Sequence, residues 1–438
     1  MLYKHITELI GDTPLLLLDP EVHGIPGVEL YAKLESANPF GSVKDRAAWA
    51  MVGDRLGDMR AAGQTMVEAS SGNTAKALQL LAAVSGVRLR AYTNRIRVSE
   101  VRDLLTLLGA DVRELPGLSE CPDPNAPNDV HNIIQDLLDT EPDTFVHPSQ
   151  YTNEANIDAH YQGTGREIFD DVGAVDVVIG GLGTTGSTRG AATILREKNP
   201  DMRAVGVVAS STDFIPGLRS VAEIWEVGLF QPDFYDAILP VDAHDAIEGS
   251  LELARGCGVL AGPSSGASYA AAKTYLAQQD AMDRPRSAVI IVCDRLEPYL
   301  SYYRARRPDL FGLAARPGPA SLRTGQLASA PTVAAGELAD LHGTALVVDI
   351  RGSLAYRIGH IPGAINIRDD YLDEMLTHGI PFPAGLQVVF VCAVGEQSRR
   401  FAAFLQEAGR ASASLAGGIV AWRDAGRPLE TQAPSIAK

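Results

Sequence analysis

The sequence predicts an α/β protein of two successive domains, and three observations predict it. From about Leu30 to about Arg307, short apolar runs alternate with longer amphipathic stretches, as a parallel sheet covered by helices requires. After RARRPDLFG comes LAARPGPASLRTGQLASAPT, rich in Ala, Pro, Gly and Ser and poor in apolar periodicity, which is the composition of a surface linker. Beyond it, ALVVDI, QVVFVC and ASASL read as short buried strands. The expected organisation is a first domain over 1–312, a linker over 313–331 and a second, smaller α/β domain over 332–432.

In the first domain, strands are expected at Leu30–Leu34, Thr65–Ala69, Val175–Gly180, Ala204–Val208 and Ala288–Val292, each short and mostly apolar. Helices are expected at Thr74–Ser85, rich in Ala and Leu, and at Ala267–Gln278, introduced by SSGAS. In the second domain, Phe401–Glu407 and Ile419–Arg423 read as helix segments. No internal repeat is visible, and the two halves do not resemble each other.

A chain of 438 residues, 46% hydrophobic and 21% charged, is long enough for two or three domains with their own cores. The start, MLYKHITELIGDTP, lacks the basic, apolar and small-residue parts of a secretory signal, and no apolar run is long enough to span a bilayer, so a cytoplasmic location is expected. Cys121, Cys257, Cys293 and Cys392 are scattered without a CxxC pair or metal-ligand spacing, which reads as reduced thiols and no metal site. The formal charge of -16 disfavours nonspecific binding to nucleic acid or anionic membranes. Any anionic ligand then needs a local site.

Lys44, in KLESANPFGSVKDRAA, follows a Pro and Gly turn and opens an Ala-rich helical stretch. A lysine forms an imine only from its unprotonated amine, a state that burial or neighbouring positive charge supplies. Taken alone, a lysine at a helix start is usually a solvated charge, and that is the bare reading of Lys44. The loop Gly183, Thr184, Thr185, Gly186 and Ser187 follows an apolar strand, so its N–H groups and hydroxyls can surround a phosphate at the mouth of the next helix. A bare Gly-rich turn has the same pattern. Ser70, Ser71, Gly72, Asn73 and Thr74 also join a strand to a helix, where donors can receive a carboxylate; Asn73 and Thr74 are equally suited to cap that helix.

The segments GDTPLLLL, NPFGSVKDR, EASSGNTA, GGLGTTGS and GPSSGAS occur in the order found in the cysteine-synthase and cystathionine-synthase branch of pyridoxal-phosphate enzymes, which this chain resembles from about residue 1 to 310. The resemblance implies a two-subdomain fold like that of the tryptophan synthase β subunit, with pyridoxal 5'-phosphate in the cleft and a homodimeric assembly. It aligns Lys44 with the lysine that binds the cofactor aldehyde, the 183–187 loop with the phosphate cup and Asn73 with the contact to the ring hydroxyl. Residues 70–74 then form the substrate-carboxylate loop, and Gln150 in PSQYTNEAN makes a second carboxylate contact. Ser264 in GPSSGAS matches the serine at the pyridine nitrogen, where a neutral hydroxyl favours elimination at Cβ over transamination. Lys44, once displaced by substrate, can act as the base at the α-carbon, and loss of the β-substituent leaves an aminoacrylate for a nucleophile to attack.

The chain departs from this pattern in places. GTTGS stands where the family commonly has GTGGT, and Ala75 and Lys76 follow SGNT where a Gly and an apolar residue are usual. VVASSTDFIPGLRS is shorter and less acidic than usual, and CDRLEPYLS is similar to the PDRG-type segment of siderophore-pathway relatives that make other β-substituted alanines. The leaving group and the sulfur or amine nucleophile are therefore open.

In the second domain, VVDIRGSLAYRIGHIPGAINI, VVFVCAVGEQSRRFAAFL and LAGGIVAWRDAGRPLE resemble the three recurring signatures of rhodanese domains, over about 332 to 430. Cys392 ends a strand and opens the loop Ala393–Gln397, whose N–H groups can stabilise a thiolate or persulfide. The alternative is a buried strand cysteine in an inactive rhodanese fold. Gln397 stands where the family often has Arg, with Glu396 before it, so dianionic thiosulfate is expected to bind less well and another donor to serve. Cys121, Cys257 and Cys293 are expected to be structural, and Asp349 and His360 to hold the fold. The fusion suggests cysteine synthesis from O-acetylserine or O-phosphoserine with sulfur relayed by Cys392. The alternatives are β-elimination from cysteine, or synthesis of a compound such as 2,3-diaminopropionate with a regulatory rhodanese domain.

Overall fold

A computed structural model of the chain describes residues 2–93, 96, 98–115, 130–210, 213–221, 223–279, 285–313, 318–322, 324–341 and 343–431. Cys121 lies outside them, as do 314–317 and 323 of the expected linker and residue 432 of the expected second domain. The chain divides into two compact units, one of 1–113 and 134–303, the other of 114–133 and 304–438.

The first unit holds two sheets. The larger is ordered β1-β2-β10-β7-β8-β9, from β1 (Leu15–Leu17), β2 (Glu29–Leu34), β7 (Val177–Gly181), β8 (Arg203–Ala209), β9 (Ala237–Val241) and β10 (Ser287–Val292). It is parallel apart from β1, which pairs antiparallel with β2. The smaller is ordered β5-β4-β3-β6, from β3 (Thr65–Ala69), β4 (Arg88–Thr93), β5 (Asp111–Glu114) and β6 (Phe145–Val146). Strands β3 and β7 are buried along their whole length, which is why they read as mostly apolar runs, with Glu68 in β3 the buried exception.

Helices cover these sheets. Helix α1 (Lys44–Val52) packs Ala47, Ala48, Met51 and Val52 against Ala77, Leu78, Leu81 and Ala82 of α2 (Asn73–Ser85) and against Met66 of β3. Helix α2 stops at Gly86, whose backbone is left-handed (φ 69°) and whose N–H returns to Ala82 and Ala83. Helices α3 (Gly186–Lys198) and α4 (Pro263–Ala277) follow β7 and precede β10. The start of α4 differs from expectation: Gly262 is the cap and Pro263 the first helical residue, so Ser264 to Gly266 lie inside the first turn rather than before it. Proline carries no N–H to leave unpaired there and is suited to that position.

A buried ionic network holds α1 in place. Arg46 donates from Nε to Glu35 Oε2 (2.7 Å) and from Nη1 and Nη2 to both oxygens of Glu167 (2.6 and 2.7 Å). Thr13 and Thr164 donate to the other Glu35 oxygen at 3.0 and 3.1 Å, and Lys33 bonds Thr13 O and Glu167 (2.6 and 2.8 Å). His160 Nδ1 lies 2.9 Å from Thr164, within a π-helical turn over His160–Gly165. Burial and the nearby cations hold His160 neutral by lowering its pKa well below the usual value.

The second unit carries one parallel sheet ordered β11-β15-β14-β12-β13, from β11 (Thr332–Val333), β12 (Ala345–Asp349), β13 (Ile365–Asn366), β14 (Gln387–Val391) and β15 (Ser412–Leu415). Alternation along β14 feeds two cores: Val388 and Phe390 join Phe401 and Leu405 on one face, and Val389 and Val391 join Ile419 and Trp422 on the other. Within the expected linker, a short helix at Thr324–Ala328 docks on α5 (Gln397–Glu407), with Leu327 buried and Gln326 bonded to Glu407 at 2.6 Å. Asp349 pairs with Arg351 (2.6 Å), and His360 stacks on Tyr356 with ring centroids 3.8 Å apart, so both serve packing. No described helix is long and apolar enough to cross a membrane.

Two outcomes follow for stability. Replacing Arg46 with Ala leaves Glu35 charged in the interior and is expected to cost about 3–5 kcal/mol by urea unfolding, with little rescue from Arg46→Lys, which lacks the forked donors. At Glu167, burial works to raise the pKa, but Arg46 and Lys33 outweigh it and bring it down to about 2. Its folded pKa is depressed, so its contribution is full above the ordinary carboxylate range and disappears as pH falls through that range towards 2. Melting temperatures between pH 6 and pH 2, numbers set by the usual carboxylate range, should fall less steeply for Glu167→Gln than for the natural chain.

Candidate active site

The expected residues of the first unit gather at the carboxyl ends of β3, β7 and β10, where ligands bind in open parallel sheets. Lys44 opens α1, and the Val43 N–H donates to Cys293 O (2.8 Å) just beyond β10. Beside Lys44, the Asp45 carboxylate accepts from the Phe40 N–H (2.6 Å) and the Ser42 hydroxyl (3.1 Å). Burial pushes its pKa up to about 7 against those bonds and the pull of Lys76.

The phosphate-cup candidate, Gly183 to Ser187, joins β7 to α3. Asn156 pins it, donating from Nδ2 to Thr184 Oγ1 and to Gln150 O, both at 2.9 Å. The space a side chain at Gly186 would need is taken by Asn156 Oδ1, 2.2 Å from an ideal Cβ, so only glycine fits. Thr185, where the resembling family commonly has Gly, caps α3 in the left-handed region with φ 70°. A side chain held there costs about 1–2 kcal/mol. The hydroxyls of Thr185 and Thr188 are fully buried, Thr185 facing the Tyr235 hydroxyl and Thr188 lying against Gly180 of β7. Ser187 is buried beside them at the head of the helix. The N–H donors of a helix N-terminus suit an anion of phosphate size.

The loop after β3 is arranged otherwise than expected in one respect. Gly72, not Asn73 or Thr74, occupies the cap of α2, and the Ser70 hydroxyl accepts from the N–H groups of Ala75 (3.1 Å) and Gly72 (3.5 Å). Ser71 is exposed. Thr74 donates to Gln150 Oε1 (2.6 Å), and Gln150 Nε2 donates to Ala69 O (2.7 Å), so the two expected carboxylate contacts adjoin. Asn73 turns towards β10, donating to Asp294 Oδ2 at 2.6 Å.

Ser264, in the first turn of α4, lies under Gly217, whose ideal Cβ would be 3.5 Å from its Oγ, and Gly217 O in turn approaches Gly183. Cys293 adjoins this group: its N–H donates to Ser265 (2.9 Å), and burial pushes its thiol up to about 12 against Lys44 and the Ser264 hydroxyl. Cys293 was expected to be only structural, yet it borders the cleft. Cys293, Asp294, Tyr299, Lys76 and Asn156 join the site without having been assigned to it from sequence. Their one signal was that CDRLEPYLS, the residues after SGNT and TNEAN all fall in the motif segments.

In the second unit, Cys392 is 1% exposed and unoxidised, at the end of β14. Its sulfur accepts from the Gly395 N–H (3.1 Å) and the Ser398 hydroxyl (3.3 Å), and Ser398 is 2.7 Å from Ser414. Gly395 is left-handed (φ 84°), and a side chain there would strike the backbone of Leu415 and Gly417. Glu396 precedes α5, and Gln397 opens it. Cys257 is a half-buried free thiol at the end of its helix.

Residues 6–294 match the family described as Pyridoxal-phosphate dependent enzyme, and residues 334–425 match the Rhodanese-like domain. Cysteine synthase B of Pseudomonas aeruginosa is 31% identical over 305 residues, covering 68% of this chain and 96% of that protein. Among solved structures, a hydrogen sulfide-producing enzyme from Fusobacterium nucleatum is 29% identical with a TM-score of 0.59, covering 68% of this chain and 100% of its own. O-ureido-L-serine synthase, bound to O-ureido-L-serine, is 28% identical with a TM-score of 0.60 and covers 75% of this chain and 98% of its own. The chain belongs to the pyridoxal-phosphate dependent enzyme family, is similar to cysteine synthases across its first unit, and carries a rhodanese-like domain at its C-terminal end.

Proposed function

We propose that this enzyme carries out β-replacement on an activated serine, O-acetylserine or O-phosphoserine, to give cysteine, with sulfur carried as a persulfide on Cys392 and released as sulfide by a small thiol that supplies the two electrons and leaves as its disulfide. The observation that supports it most is the meeting of Lys44, Asn73, Ser264 and the 183–187 loop around one cleft. The residues present fit pyridoxal phosphate: the glycine-lined turn at the head of α3, with no room for a side chain at Gly186 and Ser187 buried beside it, matches a phosphate, and Lys44 opens α1. In this reading Gly183, Thr184, Thr185, Gly186 and Ser187 hold the phosphate, Asn73 the ring hydroxyl, Ser264 the ring nitrogen and Lys44 the aldehyde carbon. When bound, the cofactor supplies an electron sink for the substrate's α-carbon.

The chain's own residues do the rest. Ser70, Ser71, Gly72, Asn73 and Thr74, with Gln150, receive the substrate carboxylate near the start of α2. Lys44 takes the proton from Cα, the leaving group departs from Cβ, and a nucleophile takes its place. The Gly395 N–H and the Ser398 hydroxyl stabilise negative charge on the Cys392 sulfur, as a persulfide carrier needs. Fusing the two domains raises the effective concentration of that sulfur, provided the linker, placed over 313–331 between domains at 1–312 and 332–432, spans the gap. We place the enzyme in the cytoplasm as a homodimer.

A second reading is β-elimination or synthesis of another β-substituted alanine, with the rhodanese domain regulatory. Its support is that the similar solved structures include a hydrogen sulfide-producing enzyme and O-ureido-L-serine synthase.

Cofactor-loaded protein titrated with O-acetylserine, O-phosphoserine and cysteine should change its visible absorbance with one activated serine and identify the leaving group. A response to cysteine alone would favour the second reading, and Lys44→Ala, which can still bind substrate, should form no product because the base at Cα is gone. With a thiol reductant present, Cys392→Ser should lose product formation from a persulfide donor by about tenfold or more, a rise of over about 1.4 kcal/mol in effective barrier, while keeping activity with free sulfide. Equal activity with both donors would remove the relay.

A further inference from the structure

The cleft contains one carboxylate that the proposed reaction leaves without a task. Asp294 directly follows β10 and is 4% exposed. Its Oδ2 accepts from Asn73 Nδ2 at 2.6 Å and from the Tyr299 hydroxyl, whose oxygen also lies 3.3 Å from Asn73 Nδ2. Oδ1 is fully buried and has no hydrogen-bond partner among the described residues. It lies where a side chain at Gly262 would start, 2.1 Å from an ideal Cβ, so the carboxylate fits because the cap of α4 is glycine.

An asparagine amide presents N–H donors at one end and an acceptor at the other. An ionised carboxylate only accepts, so it holds the nitrogen end; turning the amide over would set two acceptors against each other. A protonated Asp294 would tolerate either orientation. The charge on Asp294 therefore decides which end of Asn73 faces the cleft.

We propose that Asp294 is a positioning residue: ionised, it locks the Asn73 amide in one orientation toward the cofactor's ring hydroxyl and places fixed negative charge beside the Lys44 nitrogen. This rests on Lys44 and Asn73 being cofactor contacts. Four groups, Tyr299, Asn73, Lys76 and Lys44, favour the charge on Asp294, and Cys293 and Tyr303 also sense it. Burial raises its proton affinity, and those four work against the rise. Lys76, lowered by burial, is flanked by Asp294 and by Asp45, while Cys293 and the buried His160 are the other titratable groups that sense Lys44.

The test uses Asp294→Asn and Tyr299→Phe, each loaded with pyridoxal phosphate. It follows the pH midpoint of the cofactor's visible absorbance and the rate of cofactor loss after dilution. Removing the charge is expected to move the midpoint down by about one pH unit, because the Lys44 nitrogen loses an anion that favours its proton, and to speed cofactor loss. Tyr299→Phe, which removes only a donor to Asp294, should shift both in the same direction by less, and it decides the matter if Asp294→Asn does not fold. Natural midpoints and loss rates in the folded variants overturn the proposal. A visible band that is missing from the natural protein, or whose position is unchanged in Lys44→Ala, overturns the assignment of Lys44 and with it the cofactor site. A normal band indifferent to both substitutions counts against Asp294 alone.

Discussion

The first unit depends on one buried arrangement of charge, the pairing of Arg46 and Lys33 with Glu35 and Glu167. Two cations and two anions leave no net charge, and each carboxylate is met by several donors. Such a cluster gains little over an apolar core of the same volume, but breaking it is expensive because a charge is then stranded. Its value lies in what it joins. Asp12 and Thr13, the end of β2, the first turns of α1 and the π-helical turn before Glu167 are remote in sequence, and each contributes a partner. Arg46 sits two residues beyond Lys44, so these bonds also set the register of Lys44 at the start of α1.

A second set of bonds crosses between the two sheets at the cleft. Asn73 belongs to the helix after β3 and Asp294 to the turn after β10; near them Glu100, in the helix after β4, accepts from both the N–H and the hydroxyl of Ser301. These contacts sit on element ends rather than in the cores, which are separate for the two sheets. The cleft is thus spanned by polar bonds that can exchange for ligand contacts, between layers whose packing need not change.

Much of this was legible in the sequence. Strands β2, β3, β7, β8 and β10 are buried on both faces, so each reads as an apolar run, and the motifs at their ends mark the loops that meet at the cleft. The start of α4 was misplaced because Ser and Gly have low helix propensity, while the Pro263 signal and the Gly262 cap went unweighed. Asn73 and Thr74 look like caps by residue type, yet Ser70 takes the N–H groups, and Asn73 is drawn away by a carboxylate 221 positions later. No local pattern encodes that pairing. Cys293 and Asp294 were visible only as a departure in CDRLEPYLS, and their place beside Lys44 and Asn73 arises from the neighbouring alignment of β2 and β10.

The deep seat of Cys392 bears on the timing of any sulfur exchange. A nucleophile or donor needs a line of approach to the sulfur, and at 1% exposure that line is closed by the loop that stabilises its charge. Opening the loop surrenders the Gly395 bond, so accessibility and anion stabilisation cannot be maximal together. The sulfur is sheltered from small oxidants in the closed form. In the proposed relay, exchange would then wait on movement of this loop rather than on thiol chemistry. A delivering molecule selected here is one that can use its own binding energy to hold the loop aside, which favours a folded surface over a small diffusible anion.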